Sequence, residues 1–429
     1  MTALLGGPAA PAGMRRVLRS PAMLGPLSQG ITSVSNVVMM LAVAGALAPG
    51  EFGVFALVQS LALVVEGLVR AGLGETMAVV GAASSRARRQ GIVTVAATIG
   101  FAAAVSGVAI SALFLHGRTA SLAIAVAVGI VPRVVADAER LLAFALHSPA
   151  TAVVVDSVWF AAQLVLMVTA MALGVARPEA AVWAWGVGAG VAAVVGARML
   201  RVVPAFGAGR DGWAWLGEHR VLARAYAGEF LMVSASTQAV LWPVALVSTT
   251  ESVAALRGAQ LIFGPVATLV LGLRNALTPQ AGAMLARDDE RGLARLVIGA
   301  SVGAAAVALA NVVAFVAMPD AFGAELLGAS WPLVAAIVLP YGLSRVVFSG
   351  YVGPLIVLRV RTLTATGVRL RTVSAVLGVV AMVGGVAVGG AVLASWLLLC
   401  AALVTFALYC AAAAPTFRSD GRLLPEGVH

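Results

Sequence analysis

Two arginines stand inside long apolar stretches, and their surroundings are alike. Arg70 lies in EGLVRAGLGE (66–75), and Arg274 lies in LGLRNALTP (271–279). A guanidinium placed in hydrocarbon costs at least about 2.5–3.5 kcal/mol, so such a residue usually faces protein or a water-filled cavity. Two of them in similar settings could draw an anion into one cationic cavity. The chemistry to expect is the binding of an anion.

Acidic residues near these arginines decide how much of their charge is free. Glu66 precedes Arg70 by four residues, which places both side chains on one helix face. Arg274 has Val270 in the equivalent position, so its own helix supplies no acid. We therefore expect Arg274 to face a cavity, whereas for Arg70 a cavity role and a structural pair with Glu66 both remain open.

A second group of charges lies in the segment PRVVADAER (132–140). Arg133, Asp137 and Arg140 share one helix face by their spacing of four and three, which leaves one net positive charge. Asp156, in the next apolar segment, is expected to pair with an arginine of this group. A structural cluster and a cavity-lining cluster are both consistent with the pattern.

Arg345 lies in a further apolar segment. It shares a helical stripe with Tyr341 and Ser349, which suits the wall of an interior cavity. Three other arginines lie near predicted helix ends, where long side chains can reach the membrane interface: Arg257, Arg369 and Arg371.

The elements that position these charges must cross a membrane. Hydrophobic residues make up 61% of the 429-residue chain, only 11% are charged, and the mean hydropathy is +1.02. A soluble domain of this size could not cover so much apolar surface with so few charges. The pI near 11.1 would also suit a nucleic-acid-binding protein, but the arginine distribution fits membrane topology better.

Apolar runs of about 20 residues, the length that crosses a bilayer, recur along the whole chain. They predict twelve transmembrane helices: 24–48, 52–81, 91–115, 120–146, 150–175, 180–203, 225–247, 252–285, 296–318, 333–357, 365–388 and 390–414. The corresponding organisation is a tail, a six-helix lobe, a linker, a second six-helix lobe and a tail: 1–23, 24–203, 204–224, 225–414 and 415–429.

Arginines concentrate in every second loop. Eighteen lie in segments on the side of the N-terminus, and only Arg118 and Arg177 lie on the opposite side. Because basic residues are retained on the cytoplasmic side, this pattern predicts that both termini are cytoplasmic. The expected location is the cytoplasmic (inner) membrane of a bacterium.

The two halves share sequence features at similar offsets. GLVRAGLGETMAVVG (67–81) aligns with LGLRNALTPQAGAML (271–285), and PRVVAD (132–137) aligns with SRVVFS (344–349). Both pairs occur in equivalent helices and in the same order, which indicates an internal repeat. Because six is an even number of helices, both halves enter from the same side and can face a central cavity.

The chain also resembles a known family over nearly its whole length. The segments that carry the resemblance are LSQGITSVSNVVMMLAVAGALAPGEFGVFALVQSLALVVEGLVRAGLGE (27–75), DSVWFAAQ (156–163), LTPQAGAMLARDDERGLARLV (277–297) and LLGASWPLV (326–334). They are similar to polysaccharide-export proteins of the multidrug/oligosaccharidyl-lipid/polysaccharide (MOP) flippase superfamily. In that family a short turn like LAPGEFG (47–53) leads from helix one into helix two.

This resemblance implies a fold and a function. Members are similar in fold to lipid II flippases and multidrug antiporters, with two six-helix lobes and alternating access to a central cavity. In carriers of lipid-linked sugars the cavity is cationic. Arg70 matches their helix-two arginine, and Arg274 corresponds to it through the internal repeat. The implied activity is the flipping of a polyprenyl-phosphate-linked saccharide, with arginines on the phosphates and the prenyl chain left in lipid.

The expected partners follow from this activity: the lipid-linked substrate, membrane lipid, and a glycan polymerase or glycosyltransferases, but no nucleic acid. Other functions remain open. A cation-coupled multidrug antiporter of the same superfamily often needs a carboxylate in helix one, and 24–48 contains none. A membrane polymerase or glycosyltransferase would need a larger outer loop than this chain has. A non-transporting scaffold for glycan assembly is a further alternative.

No catalytic motif is apparent in the sequence. It contains no glycine-rich phosphate loop, and its four histidines and two cysteines do not have metal-ligand spacing. We therefore expect neither an enzyme nor a metal or cofactor site.

Overall fold

The computed structural model describes residues 21–81, 85–231, 238 and 240–417. These residues form helices joined by short connections, and they contain no strand. The predicted tails fall almost wholly outside the described residues. Ten helices in the described part are long and apolar enough to cross a membrane. The chain is a multi-pass membrane protein, as the composition predicted.

The first half contains the six predicted spans. They are α1 (Pro21–Ala44), α2 (Pro49–Val80), α3 (Arg86–Phe114), α4 (Gly117–Ala145), α5 (Pro149–Ala172) and α6 (Arg177–Leu200). Local signals begin several of them. Pro149 and Pro178 stand in the first turns of α5 and α6, where a missing N–H costs nothing. Ser85 caps α3 by accepting a hydrogen bond from the backbone N–H of Arg88.

Helix α2 changes its geometry at the arginine singled out above. Arg70–Glu75 form a π-helical turn between the regular segments Pro49–Val69 and Thr76–Val80. This turn packs closely on α4, since a Cβ on Gly74 would lie 2.3 Å from Leu141 Cδ1. Turns of this kind are rare and often occur at functional sites.

The second half follows two amphipathic helices, α7 (Gly209–Glu218) and α8 (Arg220–Phe230). Its further helices are α9 (Leu241–Val247), α10 (Thr250–Leu285), α11 (Glu290–Val316), α12 (Asp320–Leu327), α13 (Trp331–Gly350), α14 (Val352–Val360) and α15 (Thr364–Ala413). The predicted span 225–247 falls partly on residues outside the described ranges. The backbone of α15 is non-helical at Gly389 and Gly390, where the predicted spans eleven and twelve meet.

The chain divides into two compact units, each with its own interior. The first comprises Met1–Met39 and Val65–Gly228, and the second comprises Met40–Val64 and Glu229–His429. The second unit thus includes the end of α1 and the first half of α2. The lobe boundaries given by the sequence remain a prediction.

The turn LAPGEFG (47–53) is tightly packed inside the second unit. A Cβ on Gly53 would lie 1.9 Å from the backbone oxygen of Thr250, so the start of α2 touches the start of α10. Glu51 accepts a hydrogen bond from the backbone N–H of Ala48 at 3.3 Å. Glycine is required at position 53 because no side chain fits between the two backbones.

Candidate functional site

In the first unit, the charges of α2 and α4 form one buried network. Arg70 donates from Nη2 to Glu66 Oε1 at 2.8 Å. It also binds both oxygens of Asp137, from Nη2 to Oδ1 at 3.0 Å and from Nε to Oδ2 at 3.1 Å. A bidentate arginine–carboxylate pair is the strongest geometry available to these groups. The predicted contact between Glu66 and Arg70 is present, and Asp137 adds a second partner.

Two arginines of α4 complete this network. Arg133 donates from Nη2 to Glu66 Oε1 at 2.6 Å, and Arg140 binds Asp137 Oδ1 at 2.7 and 3.0 Å. The Arg133 guanidinium also lies 4.1 Å from the ring centroid of Trp159, which adds a cation–π contact. Both arginines are buried, with 1% and 3% of their surfaces exposed. Their guanidinium groups therefore bind other side chains of the protein.

One stripe of α5 joins the network to α1. Asp156 accepts a hydrogen bond from the hydroxyl of Ser28, and that hydroxyl in turn accepts one from Arg140 Nη1 at 3.4 Å. Two turns along, Ser35 donates its hydroxyl to Gln163, whose amide nitrogen donates to the backbone oxygen of Ser35 at 3.0 Å. The expected pairing of Asp156 with an arginine of α4 is mediated by the Ser28 hydroxyl, and the charges of Arg140 and Arg133 are near enough to act on Asp156.

The network is formally neutral. It contains three arginines and three carboxylates: Arg70, Arg133, Arg140, Glu66, Asp137 and Asp156. Such a cluster exerts little net attraction on an anion. Arg70 is the most accessible of the three arginines, with 28% of its side chain exposed. A cavity role for Arg70 remains a prediction, and its contacts fit a structural role equally well.

In the second unit, Arg345 has a different environment. Its guanidinium lies 4.7 Å from the ring centroid of Tyr341 and 4.6 Å from that of Phe348. Within the described residues its one hydrogen bond runs from Nε to Ser344 Oγ at 3.4 Å, and no carboxylate pairs with it. Its remaining N–H groups can bind an anion, because a guanidinium carries five donors.

Arg345 lines a pocket of about 350 Å³ between α13 and α15. Arg371 and Ser374 of α15 belong to the same lining, as do the aromatic side chains of Tyr351 and Tyr409. The lining contains no acidic residue from the described part of the chain. Guanidinium groups bind phosphate oxygens in a forked geometry, and aromatic rings can stack on sugar rings. The pocket can therefore accommodate an anion that carries a polar or cyclic group.

Arg257 was expected to reach the membrane interface but is buried in the protein, whereas for Arg371 the expectation remains a prediction. Arg257 is buried, and its Nη1 donates to the amide oxygens of Gln238 at 3.0 Å and Gln260 at 3.2 Å. Arg371 lines the pocket and donates to Glu229 at 3.3 Å. Gln260 lies on the helix of Arg257 itself, whereas Glu229 is 142 residues from Arg371, so sequence position alone did not reveal the second contact.

A sequence signal for the role of Arg371 does exist. Ser374, Ala375 and Gly378 follow it at spacings of three, four and seven, which places small residues beside the arginine on one helix face. Small side chains there leave the space into which Arg371 projects, and all four residues line the pocket.

Arg274 of α10 stands apart from this pocket. It is half-buried, its Nε is buried without a partner, and its side chain makes no ion pair in the described part of the chain. The charges of Arg359, Arg371 and Glu229 are near enough to act on it. Its surroundings are therefore net positive, and the acid of its own helix, Glu251, lies in the first turn, 23 residues away. Its cavity role remains a prediction.

No group of three or more His, Cys, Asp or Glu residues in the described ranges could hold a metal ion. The chemistry that these side chains can perform is the binding of anions by arginine.

Comparisons with known proteins identify the fold. No protein-family model matches the sequence, and no curated protein matches it. Among solved structures, an inward-facing multidrug resistance MATE family transporter of the MOP superfamily matches with a TM-score of 0.67 and 15% identity, covering 91% of this chain and 96% of that one. The lipid II flippase MurJ in an inward closed conformation matches with a TM-score of 0.62 and 8% identity, covering 90% and 86%.

A third structure is a MOP superfamily transporter from Pyrococcus furiosus, described as having a binding pocket of reverse polarity. It matches with a TM-score of 0.56 and 14% identity, covering 96% of this chain and 100% of that one. The chain therefore has the fold of MOP superfamily transporters, and the predicted all-α membrane fold is confirmed. At these identities the likeness establishes the fold, and function must be argued from the site.

Proposed function

We propose that this protein is a flippase that moves a polyprenyl-phosphate-linked saccharide across the cytoplasmic membrane by alternating access. The proposal is supported above all by the environment of Arg345. Its guanidinium has no carboxylate partner in the described residues, and it lines a pocket together with Arg371. Phosphate is the anion best matched to such a pair, because each guanidinium offers parallel donors to two oxygens.

Each part of such a substrate can be compared with the residues that line the pocket. The phosphates are anionic and would bind Arg345 and Arg371, while the rings of Tyr341 and Tyr351 would stack on a sugar. A prenyl chain is too long for a pocket of about 350 Å³. It would remain in the lipid while the headgroup crosses. The substrate class is thus a glycan precursor for a polysaccharide or the cell envelope.

A cation-coupled multidrug antiporter is the second candidate. It is favoured by the fold likeness to a MATE family transporter. The pocket opposes it, because only one of its two lining arginines, Arg371, is paired with an acid, and the positive charge that Arg345 leaves repels cationic drugs. The two candidates therefore differ in the charge of the cargo.

A deletion strain separates these candidates. We expect deletion to deplete a surface or secreted glycan while its lipid-linked precursor accumulates inside the cell. Expression of the wild type should restore export, and Arg345→Ala should not. Arg295→Ala provides a matched control, because Arg295 is exposed in the same unit and lies outside the pocket. Unchanged glycan together with increased drug sensitivity would favour the antiporter.

A further inference from the structure

Glu139 of α4 is an acidic residue that the anion site does not use. It is 0% exposed, and both of its carboxylate oxygens lack a hydrogen-bond partner in the described part of the chain. It follows Asp137 by two residues, which turns its side chain away from the arginine network. Most buried polar groups are hydrogen-bonded, so this one requires an explanation.

The carboxyl group of Glu139 lies at the contact between α4 and α6. A Cβ on Gly196 of α6 would lie 2.4 Å from Glu139 Oε2 and 3.2 Å from Val155 Cγ2 of α5. The carboxyl group therefore occupies the space that the missing side chain of Gly196 leaves, against an apolar neighbour. Neither carboxylate oxygen is accessible to water while the two helices are in contact.

Charged groups occur on every element packed against α4, but none of them hydrogen-bonds Glu139. Those of the network bind one another, and Asp156 binds Ser28. Arg198 is exposed, and Arg88 binds Glu218. The charged residues of α4 and of the helices packed against it are Arg118, Arg133, Asp137 and Arg140 on α4, Glu66, Arg70 and Glu75 on the adjoining part of α2, Arg86, Arg88 and Arg89 on α3, Asp156 on α5, and Arg177, Glu179 and Arg198 on α6.

An ionised carboxylate cannot be stable in this position. Without water, a counter-ion or a hydrogen-bond donor, it would lose its solvation and gain nothing in return. A protonated carboxyl carries no net charge, so its burial costs far less. The packing of Gly196 and Val155 around Glu139 is therefore compatible with the neutral acid.

We propose that Glu139 is a proton-binding site that links transport to protons. It holds one proton while α4 and α6 are in contact at Gly196, and it releases the proton to water when that contact opens and the carboxylate becomes hydrated. The O–H bond breaks, the electron pair stays on the carboxylate, and the proton enters the aqueous phase. This link rests on the proposed function, but the protonation of Glu139 does not.

Three variants separate this role from a structural one. Glu139→Gln preserves the shape and the neutral charge but has no proton to release, so it should fold and lose coupling. Gly196→Ala retains Glu139, but the added methyl group forces the carboxyl group of Glu139 to move. Glu218→Gln is the matched control, because Glu218 is an exposed carboxylate of the same unit.

The first measurement needs no substrate. Infrared difference spectra of the purified wild type against Glu139→Gln, at neutral pH, should contain the C=O stretch of a protonated carboxylic acid. The band should move to lower frequency in D2O and shift again in Gly196→Ala. A difference spectrum that shows only carboxylate bands would overturn the proposal.

The second measurement tests the link to transport. Glu139→Gln should reach wild-type abundance in the membrane while glycan export falls to the level of the deletion strain, and Glu218→Gln should export normally. Wild-type export by Glu139→Gln that still stops when a protonophore collapses the proton gradient would contradict the coupling. If deletion of the gene leaves the glycan unchanged, the proposed function fails, and the infrared result alone decides the protonation of Glu139.

Discussion

The guanidinium of Arg345 lies 4.7 Å from the ring centroid of Tyr341, and no carboxylate in the described part of the chain shares it. Arg133, which the internal repeat aligns with Arg345, lies 4.1 Å from the ring centroid of Trp159 but is also bound to Glu66 at 2.6 Å. Both units thus place an arginine against an aromatic ring. The first unit neutralises its arginine, and the second leaves its own available for an anion.

The network around Arg70 should act mainly on folding. Arg70→Ala removes one partner from each of two buried carboxylates, Glu66 and Asp137. Leaving a buried charge uncompensated costs about 3–5 kcal/mol, and the cost here should be lower because Glu66 keeps Arg133 and Asp137 keeps Arg140. We expect membrane abundance and thermal stability to fall together with export. An immunoblot of the membrane fraction and a melting curve of the purified protein provide the measurements.

Arg88→Ala is the control for this substitution. Its partner Glu218 is exposed, and surface pairs contribute only about 0–1 kcal/mol, so abundance should be unchanged. Wild-type abundance of Arg70→Ala with complete loss of export would instead assign Arg70 to the cavity.

Arg274 should show the opposite behaviour. Its side chain has no acidic partner in the described residues, so Arg274→Ala strands no buried carboxylate and should leave abundance near normal. If it binds phosphate, export should be abolished. Arg274→Lys should retain part of the activity, because the charge survives but the forked geometry is lost. A parallel loss of abundance and activity would reveal a structural ion pair, and normal export by Arg274→Ala would exclude the cavity role.

The turn before α2 should be intolerant of any side chain at Gly53. Gly53→Ala would place a Cβ 1.9 Å from the backbone oxygen of Thr250, and backbone atoms cannot move aside as a side chain can. Overpacking costs about 1–3 kcal/mol or more, so the melting temperature and the abundance should drop. Gly30→Ala is the control, since a Cβ there meets no atom within 4 Å. Equal stability of the two variants would contradict this account of the turn.

The orientation derived from the arginine distribution can be tested by labelling. Single cysteines at Ala87 and Arg291, with Cys400 and Cys410 replaced, should react only with membrane-permeant thiol reagents in intact cells. A cysteine at Thr249 should react with impermeant reagents as well. All three positions are exposed, so reagent access depends on the side of the membrane. Ready labelling at Ala87 by an impermeant reagent would reverse the topology.

Local patterns predicted the helices and the contact between Glu66 and Arg70, because each depends on residues within a few turns. The tertiary contacts that determine the partners of each charged residue could not be predicted from such local patterns. Arg133 and Glu66 are 67 residues apart, and Ser28 and Asp156 are 128 residues apart. No hydropathy window contains both members of these pairs. The serine that separates Asp156 from the arginines could be found only in the folded chain.

The place of Arg371 in the pocket was missed for a related reason. Its place near the start of α15 indicated reach to the membrane interface, and the packing of α15 against α13 also makes it part of the lining of the pocket of Arg345. Neutrality of the first network was equally hidden, because its third carboxylate, Asp156 of α5, is joined to the arginines only through Ser28 of α1. Spacing along one helix therefore indicated which arginines were unusual. Tertiary packing determines which of these arginines have N–H groups left to bind an anion.

We propose that Arg345 binds the phosphate of a lipid-linked substrate. Calorimetry of the purified protein with farnesyl diphosphate, and with farnesol as the matched ligand that lacks phosphate, tests it most directly. The wild type should bind the diphosphate more tightly than the alcohol, and Arg345→Ala should lose that preference. The expected loss is about 1.5–3 kcal/mol for each hydrogen bond to a charged group. Arg345→Lys should fall between the two. Equal affinity of the wild type and Arg345→Ala for farnesyl diphosphate would contradict the account.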